Sequence, residues 1–127
     1  MLISKVTPQL RTGDLDASIR FYTEKVGLAL EFRHSDFYAG IRAGDYVFHL
    51  KLVDNPDPSI PFVQAGDHLH LYLGTHDVDA VAGMLKANGV ALLREPQDTP
   101  WQTRELVFRD DQGHAIYVGQ SKGRPIV

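Results

Sequence analysis

Asp67-His68-Leu69-His70-Leu71-Tyr72-Leu73 alternates without a break. His68, His70 and Tyr72 fall on one side, and Leu69, Leu71 and Leu73 on the other. A period of two is the mark of a half-buried β-strand. The leucine side needs a cover, and the next segment supplies one. Asp77 opens a helix in which Val78, Val81, Ala82 and Leu85 recur at helical spacing, and Gly89 closes it. The histidines and the tyrosine then point away from the helix, toward a cavity or toward water.

Downstream of Gly89, Val90–Leu93 reads as a strand. A loop through Pro96, Pro100 and Trp101 follows. Glu105–Arg109 and Ala115–Gly119 read as strands joined by the Asp110-Asp111-Gln112-Gly113 turn, with a loose tail after Ser121. Upstream, Val53 to Gly66 carries Pro56, Pro58 and Pro61, and is expected to be a linker with neither a central strand nor a helix. Before it the same order occurs once already. Val6–Thr12 is a strand, with Leu10 and Arg11 on opposite faces. Asp14 caps a helix with the stripe Leu15, Ile19, Tyr22 and Val26, ended by Gly27. Leu28–Arg33, Phe37–Arg42 and Tyr46–Leu52 are strands.

The repeat is visible in the letters. Asp14-Leu15-Asp16-Ala17 corresponds to Asp77-Val78-Asp79-Ala80, Gly27-Leu28 to Gly89-Val90, and the Gly44 turn to the Gly113 turn. The expectation is an α+β fold of two βαβββ modules, residues 1–53 and 67–127. Residues 54–66 link them within one compact domain.

The chain has 127 residues and a net charge of −3, with no basic run to neutralise phosphates, so nucleic acid is not the expected partner. It has no cysteine, hence no disulfide frame and no thiolate chemistry. No apolar run reaches membrane-spanning length and no signal-peptide core is present, so the expected location is the cytoplasm. No Ser-His-Asp order, phosphate-binding glycine loop or HExxH motif appears.

Leu10-Arg11-Thr12-Gly13-Asp14-Leu15-Asp16-Ala17-Ser18-Ile19-Arg20-Phe21-Tyr22, followed by Gly27-Leu28, resembles the opening of the vicinal oxygen chelate superfamily. Phe108-Arg109-Asp110-Asp111-Gln112-Gly113-His114 resembles its ending. That superfamily includes glyoxalase I, extradiol dioxygenases, fosfomycin-resistance enzymes and bleomycin-resistance proteins. The resemblance implies two βαβββ modules whose curved sheets enclose a cavity, commonly paired across a homodimer. It also implies four metal-ligand places: His or Gln on the first strand, Glu on the fourth, His on the fifth and Glu on the eighth. Here they hold Thr7, His49, His70 and Tyr117. Both carboxylates are replaced, and two imidazoles with a hydroxyl and a phenol leave a divalent charge uncompensated. No cofactor is therefore expected. The alternative is a divalent Zn, Ni, Mn or Fe ion on His49 and His70, with His68 as a third imidazole.

Trp101-Gln102-Thr103-Arg104-Glu105-Leu106, then Asp110-Asp111-Gln112-Gly113 and Gly119-Gln120, resembles the bleomycin-resistance branch. In that branch the Trp lies in the ligand cleft, although Gln102 here replaces a glycine. The strand faces opposite the helix-facing residues offer Gln9, Arg11, His49, His68, His70, Tyr72, Glu105 and Tyr117, with Trp101 on the loop before the seventh strand. Flat aromatics with both signs of charge suit an organic ligand. A cationic or planar aromatic ligand could stack on Trp101 or a Tyr. Arg11 could clamp a carboxylate, as the matching Arg does in glyoxalase I-like members, or pair structurally with Glu31 or Glu105. The expected function is binding of a small organic molecule, of the bleomycin type, by a homodimer. The alternative is a metal-dependent glyoxalase-like lyase or isomerase, thiol transferase or extradiol dioxygenase using His49 and His70.

Overall fold

The two asparate-led helix starts are built alike. Asp14 Oδ1 accepts the Ala17 N–H at 3.0 Å, and Asp77 Oδ1 accepts the Ala80 N–H at 3.0 Å. Each cap satisfies an orphan donor of the first helical turn. The next residue, Leu15 or Val78, is buried, and the following aspartate pairs with an arginine: Asp16 with Arg33, Asp79 with Arg104. The structure, a computed structural model, describes residues 1–123. It divides into a unit Met1–Asp57 and a second beginning at Pro58.

The first unit runs β1 (Gln9–Thr12), α1 (Leu15–Arg20), β2 (Ala29–His34), β3 (Tyr38–Ala43) and β4 (Tyr46–Leu52). A π-helical turn, Phe21–Lys25, continues α1 and brings Tyr22 inward. The sheet order is β1-β4-β3-β2, with β1 parallel to β4 and the other pairs antiparallel. Its core is Leu10, Leu15, Tyr22, Ile41, Phe48 and Leu50, with Tyr22 edge-on to Phe48 at 5.1 Å. Gln9, Arg11 and His49 stand on the other sheet face.

The second unit repeats this order: β5 (Leu71–Gly74), α3 (Val78–Ala87), β6 (Leu92–Asp98), β7 (Thr103–Arg109) and β8 (Ala115–Ser121), preceded by α2 (Ser59–Gly66). The sheet order is β5-β8-β7-β6, with β5 parallel to β8. Val78, Leu85, Leu106, Phe108 and Ile116 form its core between α3 and the sheet. The turn glycines correspond in conformation as well as in sequence: Gly27 and Gly89 have φ of 79° and 83°, Gly44 and Gly113 of 60° and 98°. That is the region open to glycine without strain.

Four boundaries depart from the sequence expectation. Ser59–Gly66 is a helix, not an irregular linker. Pro58 precedes it and Pro61 lies in its first turn, where a missing N–H breaks no intrahelical bond. That helix ends on Asp67, left-handed at φ 54°, so the alternation read from residue 67 becomes strand only at Leu71, and Leu69 is exposed. β1 starts at Gln9 and not at Val6, although the Pro8 carbonyl still accepts the His49 N–H at 2.9 Å. β6 continues through Pro96 to Asp98. It is an edge strand and its pairing with β7 is irregular, which is where a strand tolerates proline. Lys122 is tied, its N–H to the Gln102 carbonyl and its Nζ to Asp98. The rest of the tail expected to be loose, from residue 124, lies outside the described residues.

Candidate functional site

On the second sheet, the face opposite α3 follows from register. Tyr72 on β5 is paired with Tyr117 on β8 and that in turn with Val107 on β7. One step further, Gly74 pairs with Gly119, and Gly119 with Glu105. Period two places Tyr72, Tyr117, Gly119, Glu105 and Thr103 on one face. Glu105 is 8% exposed. Its Oε2 accepts three donors: the Tyr72 hydroxyl at 2.7 Å, Thr103 Oγ1 at 2.9 Å and Trp101 Nε1 at 3.4 Å. Desolvation first, and then the bond to Glu105, push the Tyr72 phenol up to about 12. Tyr72 is 45% exposed as a residue, but its hydroxyl lies over Gly119, whose missing side chain makes the room.

Trp101 is 60% exposed and sits on a loop tied at both ends. The Thr99 N–H donates to the Thr103 carbonyl at 2.8 Å, the Thr103 N–H to Thr99 Oγ1 at 3.2 Å, and the two hydroxyls meet at 2.7 Å. Gln102 takes φ 69°, a region that side chains avoid unless the surroundings impose it. The residue that takes the place of a glycine in the bleomycin-resistance segment thus keeps a glycine-like backbone.

His70 lies farther along the same module, beside α2. Its Nδ1 accepts the Ala115 N–H at 3.1 Å, and Nε2 meets Ser59 Oγ at 3.0 Å. A neutral imidazole that accepts at Nδ1 carries its proton on Nε2, so Nε2 donates to Ser59. With its base nitrogen already protonated toward it, Ser59 is not activated as a nucleophile. The His70 ring packs edge-on against buried His114 at 4.7 Å, and His114 Nδ1 is paired with Asp110 at 2.8 Å.

In the first module, Gln9 Nε2 donates to the Tyr38 hydroxyl at 2.9 Å, and that hydroxyl lies 2.9 Å from His49 Nδ1. The Tyr38 oxygen accepts from Gln9, and the His49 tautomer sets which way the bond between Tyr38 and His49 runs. Phe32 covers the pair, stacked on Tyr38 and edge-on to His49, above Gly40. Desolvation, with Lys5 second, lowers the His49 pKa below its ordinary value.

These hydrogen bonds bear on the metal that the superfamily resemblance implies. His70 uses Nδ1 as an acceptor and carries N–H on Nε2, while His49 Nδ1 is engaged by the Tyr38 hydroxyl. His70 turns no lone pair outward. Ligation by His70 Nε2 would move the proton to Nδ1 and set it against the Ala115 N–H, donor facing donor. Thr7 and Tyr117 add no anionic donor, and among the described residues no three His, Asp or Glu side chains gather as a ligand set. The residues at these four places do not fit a divalent ion. His68, weighed as a third imidazole, is exposed, lies before β5, and folds over Gly66.

Arg11 is exposed beside Lys51 and makes neither of the expected ion pairs. Glu31 pairs instead with Arg42 at 3.1 Å, and Glu105 is held by neutral donors. Sequence reasoning missed Tyr38, Ser59, Thr103 and the glycines under Phe32 and Tyr72. Thr103 was within reach: two residues before Glu105 on one strand, it shares that face. Ser59 was not, because its segment was read as having no helix to orient it.

The family model of the Glyoxalase/Bleomycin resistance protein/Dioxygenase superfamily matches residues 3–118. The chain belongs to this superfamily. It is similar to a Vibrio cholerae protein named "Probable lactoylglutathione lyase", 28% identical over 89% of this chain and 87% of that one. Two mycobacterial relatives, from Mycobacterium bovis and Mycobacterium tuberculosis, are 32% identical over 83% of this chain, which spans only 39% of their length. Among solved structures it resembles TnmS3, an antibiotic binding protein from Streptomyces, at 29% identity and TM-score 0.72, covering 96% of this chain and 99% of that one. A bleomycin-binding protein complexed with bleomycin shares the fold at 19% identity and TM-score 0.75, covering 94% of this chain and 100% of that one.

Proposed function

We propose that this protein binds and sequesters a small organic molecule, of the antibiotic or bleomycin-like kind, without a metal centre. The observation that carries the reading is the state of His70, whose Nδ1 accepts the Ala115 N–H. At one of the places where a superfamily enzyme holds its metal, His70 offers an N–H where ligation needs a lone pair. Within the second unit, the aromatic groups Trp101, Tyr72 and Tyr117 with the carboxylate of Glu105 are the kind of surface that recognises organic ligands; Gln9 and Arg11 offer polar groups on the first unit's sheet. The similarity to antibiotic-binding proteins supports the same reading. Its working form is taken as a cytoplasmic homodimer, which sedimentation would test.

Metal content and thermal unfolding with added Zn, Ni, Mn or Fe test it. The expected result is no stoichiometric ion and an unchanged melting temperature. A ligand from a panel of planar antibiotics should raise the melting temperature, since a ligand at a hundred times its Kd stabilises by about 2.7 kcal/mol. One tightly held ion per site would overturn the proposal. The second reading, a metal-dependent lyase or isomerase, thiol transferase or dioxygenase on His49 and His70, is favoured by the lactoylglutathione lyase name of the Vibrio relative. Turnover that His70→Ala abolishes while the fold survives would establish it.

A further inference from the structure

Two carboxylates are buried among the described residues, Asp110 and Glu105. Asp110 is consumed by its own turn. It accepts the Gln112 and His114 N–H groups on Oδ1 and meets His114 Nδ1 with Oδ2. Glu105 is different. Its donors are a phenol, a hydroxyl and an indole, all neutral and all on Oε2, and no Arg or Lys of the described residues pairs with it. A carboxylate taken out of water normally meets a cation or gives up its charge.

What surrounds Glu105 is aromatic and half in solvent. The Trp101 N–H edge points at the carboxylate, so the indole faces are left for other contacts. Tyr72 lies against Tyr117, ring centres 6.5 Å apart and 30° between planes. The loop bearing Trp101 is fixed by the Thr99–Thr103 bonds and the left-handed Gln102. Ring faces around a carboxylate attract a cation twice over, through the ring quadrupole and through the opposite charge.

We infer that Glu105, Trp101 and Tyr72 form a subsite for the positively charged head of the ligand, a quaternary or protonated amine. The inference rests on the binding reading and names the chemistry that reading leaves open. Thr103 and Gly119 act by position. Thr103 holds the carboxylate, and Gly119 admits the tyrosine that reaches it.

Choline and its uncharged isostere 3,3-dimethylbutan-1-ol are the probes, since they share a shape and differ in charge. Trp101 is the only tryptophan, so its emission and its indole N–H resonance report on the subsite directly. Choline should shift both saturably, with the isostere at least tenfold weaker. Glu105→Gln keeps an acceptor for Tyr72 and Thr103 and should erase that preference. Thermal unfolding shows whether this variant is folded. If it is not, Trp101→Leu on the exposed loop carries the test through line-broadening of the choline methyl resonance, which should vanish. Equal binding of the two probes, or a preference that survives Glu105→Gln or Trp101→Leu, would overturn the subsite and leave the binding reading intact. A stoichiometric metal would instead overturn the binding reading.

Discussion

Gly119 lies so close beneath Tyr72 that a methyl in place of its hydrogen would stand 1.8 Å from the phenol oxygen. The glycine is therefore a condition of the Tyr72–Glu105 hydrogen bond and not merely a neighbour of it. Gly119→Ala should displace the ring and leave Glu105 short of its nearest donor. Losing a buried partner costs about 1–3 kcal/mol. Urea unfolding should show a loss in that range, and Gly40→Ala a smaller one, because the Phe32 ring that it would push makes no hydrogen bond. Equal losses in the two variants would contradict this account.

Tyr72 should ionise about two pH units later than an ordinary tyrosine, at about 12. The fold then holds the phenol proton where the unfolded chain releases it. The sign follows: stability from this group is complete below pH 10 and declines as pH rises from about 10 toward 12. Ultraviolet absorbance titration should show a late phenol component that is lost in Tyr72→Phe. The alkaline fall in stability should be shallower in that variant.

His70 should show, by nitrogen NMR, an unprotonated Nδ1 and a protonated Nε2 in its neutral form. Ser59→Ala removes the acceptor of the Nε2 proton without changing the tautomer, because the Ala115 N–H still requires a lone pair at Nδ1. A proton found on Nδ1 would remove the argument against metal ligation.

His49 should titrate below the ordinary imidazole value of about 6.5. A lowered pKa in the folded state means that the unfolded chain takes up the proton first. The stability it contributes is present above about pH 6.5 and is lost as pH falls toward its depressed pKa. Lys5→Ala should move the His49 midpoint partway back, as followed by the proton resonances of the ring.

Asp14→Ala and Asp77→Ala should each cost about 1 kcal/mol, the usual worth of a side-chain cap. Denaturant unfolding of the two variants measures this. Substitution by Asn should restore most of the loss in either helix.

The repeat of fold was legible because each module writes its punctuation in residues with one local meaning. An aspartate before an apolar stripe and a glycine after it set a helix whatever lies elsewhere, and both copies kept this. Strand faces were legible through period two, which placed Gln9, His49, Tyr72 and Glu105 correctly on the faces away from the helices. Helix α2 was not legible, because three prolines read as a breaker, while proline in a first turn breaks nothing. The misreading displaced the start of β5 as well. The partners of the histidines were illegible for a different reason: Tyr38 and Ser59 meet His49 and His70 only through pairing and a helix that no local pattern announces.

The loop from Thr99 to Thr103 is held by its threonines and by the backbone of Gln102, and the frame asks nothing of the indole at position 101. Shape and chemistry are thereby assigned to different codons. An altered residue at 101 changes what is greeted at the surface while the scaffold that presents it stays as it was. On the proposed binding reading, recognition can therefore change by single substitutions at 101, each presented by a loop already built.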